Sequence, residues 1–214
     1  MATSGTNTFD LDVDQLIEEA FERCGINSRS GYDLKSARRS LNIMLAEWAN
    51  RGLNQWTIEQ TTQTVTKGTN QYTLNSNVID ILDCSIRRNT DGTDLDLQMS
   101  RVSRSEYLNI PTKSTKSRPS QFFLDKLTTP VLKIWPVPDN NTDVIKFNRL
   151  TRIDDADAFT NTVDIPFRFY PCLAAGLAYY LSMKRSPQLM APLKAIYEEE
   201  FERAMGEDRD RSSF

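Results

Sequence analysis

The spacing of apolar residues changes along the chain, and each change marks a new kind of element. Val13, Leu16, Ile17, Ala20, Phe21 and Cys24 recur at intervals of three and four, the stripe of an amphipathic helix. Asp12 stands at the cap position, Gln15 three residues on completes a capping box, and Gly25 offers a terminator. Leu34, Ala37, Leu41, Met44, Leu45 and Trp48 repeat the pattern over about 33–51, closed by Gly52. The link between the two stripes is short, which predicts an antiparallel helical hairpin. Residues 1–10, rich in Thr, Ser and Asn, read as a loose arm.

The period then shortens. "TIEQTTQTVT" (57–66) is rich in Thr and β-branched residues, and "KGTNQYTL" follows with Gly68 at a turn. "VIDILDCSIR" (78–87) and "LDLQM" (95–99) flank "NTDGTD", whose Asp91-Gly92 pair is a strong hairpin signal. "SRSEYL" predicts one helical turn, followed by a polar loop. "QFFLD", "VLKIW" and "DVIKFNRL" are three short strands fenced by Pro119, Pro130, Pro136 and Pro138, since proline cannot donate to a ladder. They read as an antiparallel meander.

Helical spacing returns at the end. Asp164 caps a segment with Pro166 in its first turn, running to about Lys184 and apolar on most sides, the pattern of a central core helix. Pro171 either kinks this helix or marks its start. A last helix is predicted over about 187–205, with Leu189, Leu193, Ile196, Tyr197, Phe201 and Ala204 on one stripe and Gly206 as its C-cap. "GEDRDRSSF" (206–214) is a charged tail. The fold class expected is α+β: helix pairs at 11–55 and 164–205 form one four-helix bundle, and an antiparallel β-rich domain at 56–163 is inserted between them.

Composition narrows what such a chain can do. Of 214 residues, 39% are hydrophobic, low for a compact monomer, which suggests a large solvated or partner-covered surface. The net charge of −3 argues against a protein whose main work is neutralising phosphates. There is no histidine, which removes Ser-His-Asp triads, Cys-His dyads and His-ligated zinc. Cys24, Cys84 and Cys172 form no CxxC and read as buried thiols in a reducing compartment. No signal peptide is visible, and the most apolar run, 172–181, is too short for a membrane span, so a soluble protein is expected.

Candidate chemistry is sparse. Glu198 and Glu202 lie one helical turn apart without a second carboxylate helix, and read as a solvated face. "DDADAF" (154–159) has acidic spacing but lacks the Gly and terminal Glu of a calcium loop. The basic stretch 101–118 holds one aromatic, Tyr107, too few for a stacking platform. No phosphate-cradling or nucleophile-elbow motif occurs. No catalytic, metal or cofactor residues are expected, and an interaction or assembly module is favoured over an enzyme.

One resemblance joins these parts. "LAEWANRGLNQWTIE", "VTKGTNQYTL", "RPSQFFLD", "VLKIWPVPD" and "IKFNRLTRIDDADAFTNTVDIPFRFYPCLAAGLAYYLSMK" follow one another in an order that resembles the head-to-tail adaptor (connector) proteins of short-tailed bacteriophages, the tail tubular protein A or tail accessory factor type. It covers about residues 11–205, and departs from the pattern at Asn75, where related sequences tend to have proline. The resemblance implies a structural virion protein at the head–tail junction, assembled in the host cytoplasm. It implies a twelve-fold homo-oligomeric ring under the portal protein, its helical part docked on the portal and its β part facing the tail (nozzle) protein, with double-stranded DNA passing through the channel. It also implies a portal-binding C-terminal segment, here Met205, Arg209, Arg211 and Phe214, and tail-facing loops at Asp91, Gly92, Asn140 and Asn141. Two other classes stay open: a virion accessory enzyme acting on DNA or peptidoglycan, and a host-encoded binding module.

Overall fold

The computed structural model describes residues 5–6, 9–26, 30–90 and 93–208. Among them the chain is mixed α+β, with five α-helices and two four-stranded sheets. It divides into two compact units, Met1–Trp56 with Ile153–Phe214, and Thr57–Arg152.

The first unit holds four helices: α1 (Val13–Arg23), α2 (Gly31–Arg51), α4 (Tyr170–Arg185) and α5 (Met190–Glu207). The stripes read from the sequence are the buried faces. Leu16, Ile17 and Phe21 of α1, Leu41, Met44 and Trp48 of α2, and Leu193, Tyr197 and Phe201 of α5 share one core. Ile196 is the exception on its stripe, at 48% exposure. Helix α4 packs against α1, α2 and α5, and its apolar character on every side follows, with Cys172 through Ala178 all buried. Gly176 allows the closest approach: a Cβ there would stand 2.5 Å from Met44 Sδ and 2.8 Å from Tyr197 Cε2.

Helix ends follow local chemistry. The Gln15 side chain accepts from the Asp12 N–H at 3.4 Å, and Ser30 caps α2 while Asp33 reaches back to the Ser30 N–H at 3.0 Å. Gly52 ends α2 at φ 90°, a left-handed conformation that a side chain would strain. Pro171 marks a start and not a kink. Residues Phe167–Phe169 form a 3₁₀ turn, and α4 begins at Tyr170 with Pro171 in its first turn, where no N–H is needed. Asp164 is therefore not its cap; the Asp164 carbonyl instead accepts from Trp56 Nε1 at 2.9 Å. Similarly, Pro187–Leu189 form a 3₁₀ turn before α5, which runs through Gly206 to Glu207, so Gly206 is not a terminator.

The stretch before α4, read from the sequence as part of the β region, belongs to the helical unit from Ile153 onward. Ile153, Ala156 and Val163 lie in the helical core. The Asn42 side chain clasps the backbone of Ala156, accepting from its N–H at 2.8 Å and donating to its carbonyl at 3.4 Å. The carbonyls of Asn161 and Phe159 accept from the N–H groups of Val13 and Asp14, each at 3.0 Å. Two orphan donors of the first turn of α1 are thus satisfied by the far end of the chain.

The second unit holds β1 (Ile58–Thr64), β2 (Gln71–Thr73), β3 (Val78–Thr90), β4 (Thr93–Gln98), β5 (Ser100–Arg101), the short helix α3 (Arg104–Asn109), β6 (Gln121–Asp125), β7 (Val131–Trp135) and β8 (Val144–Thr151). One sheet has the order β1-β8-β3-β4 and the other β2-β7-β6-β5. Ile81, Cys84, Ile86, Ile145 and Phe147 of the first share an apolar cluster with Tyr72, Phe122, Leu124, Leu132 and Ile134 of the second. The expected meander is half right. β6 and β7 pair antiparallel, but β8 lies in the other sheet, paired on one edge with β1 and on the other with β3. The Pro-bearing link 136–143 is too long for a tight hairpin, and the two edges of β8 are both occupied. β3 and β4 form the expected hairpin, closing with Thr90 opposite Thr93. β1 and β8 also bring the unit's two ends together, with Ile58 opposite Leu150.

Candidate functional site

Of the carboxylates singled out by sequence, Glu198 is engaged in the helical unit. Arg51 donates to Glu198 at 2.8 Å and lies 3.6 Å above the Phe201 ring. The same guanidinium reaches Glu47 at 3.4 Å. Glu47 also accepts from Tyr180 at 2.6 Å and Tyr197 at 3.3 Å, and Tyr197 in turn accepts from Trp48 Nε1 at 3.0 Å. Burial, reinforced by Glu47, pushes the Tyr180 and Tyr197 hydroxyls above their ordinary range, so both remain donors. Such a network ties α2, α4 and α5 together across an apolar core. Burial pushes the thiols of Cys84 and Cys172 up to about 12, far from a reactive thiolate. Among the described residues no group of three or more His, Cys, Asp or Glu is placed to hold a metal ion, and no helix is long and apolar enough to cross a membrane.

The residues assigned to the C-terminal contact fall in two places. Met205 sits on α5, half-buried against the helical core. Arg209, Arg211 and Phe214 lie outside the described residues. What precedes them was missed by sequence reading. Asp208 is 6% exposed, and its carboxylate accepts from the backbone N–H of Asn54 at 2.8 Å and of Gln55 at 3.2 Å. These amides open the 3₁₀ turn Gln55–Thr57, so Asp208 caps a turn from the opposite end of the chain. The held part of the chain therefore extends through Asp208, past Gly206. No local signal could have revealed a cap supplied from so far away.

Of the loop residues, Asp91 and Gly92 lie outside the described residues. Asn140 and Asn141 sit together in the link between β7 and β8. Asn140 Oδ1 accepts from the N–H groups of Thr142 and Asp143, each at 3.0 Å. Its amide donates to Asp143 Oδ2 at 3.1 Å. Asn141 Oδ1 accepts from the Lys67 N–H at 2.7 Å. Both side chains fix the shape of the loop, and Asn141 leaves its surface exposed.

Sequence reading also passed over a concavity in the helical unit. A groove of about 620 Å³ runs between α1 and the start of α4. Phe9 and Phe167, 74% and 75% exposed, stand on its walls beside Leu11 and Tyr170. Its α1 wall carries Glu18, Glu19, Glu22 and Arg23. Phe9 and Phe167 come from opposite ends of the sequence, and each looks like an isolated aromatic until the fold joins them.

No curated protein matches the sequence. The family model described as SU10 adaptor protein matches residues 11–213, both units from the start of α1 onward, in agreement with the head-to-tail adaptor motifs in the sequence. The chain belongs to the SU10 adaptor protein family.

Proposed function

We propose that this phage adaptor is a head-to-tail connector: copies form a ring beneath the portal protein, extend the DNA channel and join it to the tail. The observation that carries the reading is the family match across residues 11–213, which spans the helical and the β unit together. The role is structural, without turnover, and its place is the virion at the head–tail junction. Helices α1, α2, α4 and α5 act as a four-helix bundle on the portal side. The β unit faces the tail through the hairpin at Asp91 and Gly92 and the loop at Asn140 and Asn141. Twelve copies match the symmetry that the resemblance implies.

Portal attachment is assigned to the segment that follows Asp208, with Arg209 and Arg211 meeting acidic groups and Phe214 an apolar pocket, and Met205 at its root. The test is direct. Purified chain is mixed with portal protein from the same virus and imaged; decorated portals with a ring of density are expected. A chain truncated after Asp208 should keep its melting temperature and lose portal attachment. Equal decoration by the truncated chain would place the dock elsewhere, and a full chain that leaves portal bare would remove the adaptor–portal reading.

A further inference from the structure

Helix α2 carries a second stripe opposite its buried one. Tyr32, Lys35, Arg39 and Ile43 recur at three- and four-residue spacing and so share one face. All four are exposed, Tyr32 at 70% and Ile43 at 54%. The stripe spans roughly 16 Å at the helical rise. Its surroundings are cationic. Lys184 donates to Ser40 of α2 at 2.6 Å, and Arg185 pairs with Asp33. Burial first, and then the charges of Arg39 and Arg185, lower the proton affinity of Lys184, a sign of crowded like charge. Large exposed apolar groups beside excess cations are characteristic of a surface that meets an apolar, acidic partner.

The same chain offers a surface with that chemistry. The groove between α1 and α4 has aromatic walls, Phe9 and Phe167, and an acidic rim, Glu18, Glu19 and Glu22. Arg23 on that rim is held by Glu19 at 2.8 Å, which leaves acid in excess. The groove shares no residue with the α2 stripe.

We propose that neighbouring copies join by laying the Tyr32–Ile43 stripe of α2 into the α1/α4 groove of the next copy. Tyr32 and Ile43 cover Phe9 and Phe167, while Lys35 and Arg39 meet the acidic rim at Glu22 and at the Glu19–Arg23 pair, where Glu19 is shared. This is the helix-in-groove mode of recognition. Because stripe and groove are different surfaces, the contact is heterologous: every copy offers both halves, and repetition closes a ring when the rotation allows. The proposal rests on the ring reading above and supplies its lateral contact.

Paired charge reversal tests it. Two full-length variants are made, Lys35→Glu with Arg39→Glu, and Glu19→Lys with Glu22→Lys. Lys35, Arg39 and Glu22 are exposed, and Glu19 is half-buried in a pair with Arg23, so the first variant should melt like the parent and the second only slightly lower, since such surface pairs contribute little. Assembly is followed by mass photometry and by imaging on portal. Each variant alone should form rings more than about a hundredfold less readily, because like charges then face each other across the contact. An equimolar mixture should recover rings with the two variants alternating. A third variant, Phe167→Ser, removes an apolar wall without touching charge and should also weaken assembly. If each variant rings like the parent, the contact lies elsewhere, although the adaptor reading stands. Failure of both without recovery on mixing would mean that stripe and groove serve different partners, which overturns the pairing. A parent chain that sits on portal as isolated copies would end the ring reading and this contact together.

Discussion

Gly176 shows how a single hydrogen can set a helix crossing. Adding a methyl group would push it against the Met44 thioether and the Tyr197 ring. Methionine can swing away, but Tyr197 is fully buried and held by hydrogen bonds to Trp48 and Glu47. Gly176→Ala would gain about 1 kcal/mol in helix propensity, yet overpacking costs about 1–3 kcal/mol. A net loss of up to about 2 kcal/mol is expected, read as a lower urea midpoint with an unchanged slope. Charge acts differently at Asp96 on β4. The Arg87 guanidinium, and after it Lys146, hold this carboxyl down to about 2. In the unfolded chain the same group titrates near 3.9. The pairing therefore adds stability above that unfolded value and loses it as pH falls toward the folded one. Thermal unfolding of the β unit should drop across that acid window, and Asp96→Asn should flatten the drop while leaving the curve above pH ~5 nearly level. A variant with the same acid slope as the parent would remove Asp96 from the account. Neither residue's role could be read from the sequence. Gly176 looks like a weak point in a helix, and Asp96 like one of several acids on an exposed strand, until Tyr197 and Arg87 are placed beside them.

Among elements, the helices are legible wherever local chemistry decides. The stripes of α1 and α2, the Gln15 capping box and Gly52 are all readable because partners lie within one or two turns. Legibility fails where the partner is distant. β8 has the alternation of any half-buried strand, and nothing in its sequence says that it leaves β7 to sit between β1 and β3. The end of α5 fails for the same reason: Gly206 signals a stop, but the Asp208 contact with Asn54 and Gln55 holds the last turn in place. Asp208→Ala should therefore destabilise the helical unit by about 1–2 kcal/mol, the cost of losing a cap that serves two amides. Faster amide exchange is expected at Asn54 and Gln55 as well as in the last turn of α5. Exchange confined to α5 alone would show that the cap does not matter. In the candidate surfaces, the exposed stripe of α2 could be read directly from spacing. The groove could not, since it exists only once the segment at Phe9 meets the one at Phe167.

For the whole molecule, the interrupted chain order of the helical unit has consequences for how it is made. The ribosome releases α1 and α2 first, but α4, the helix that packs against both, follows only after the β unit has been synthesised. Residues 52–169 intervene between α2 and α4, roughly 6–24 s at ordinary elongation rates. During that interval the faces that end on α4, with Leu16, Phe21, Met44 and Trp48, have nothing to cover them. The β unit is contiguous in sequence and has its own core, so it can fold while the helices wait. Nascent chains arrested with β8 just clear of the exit tunnel should give a protease-resistant fragment over about 57–152, while α1 and α2 are still cut. Release of α4 and α5 should protect all four helices at once. While α4 is still to come, the waiting α1–α2 pair is the part that a chaperone would have to shield.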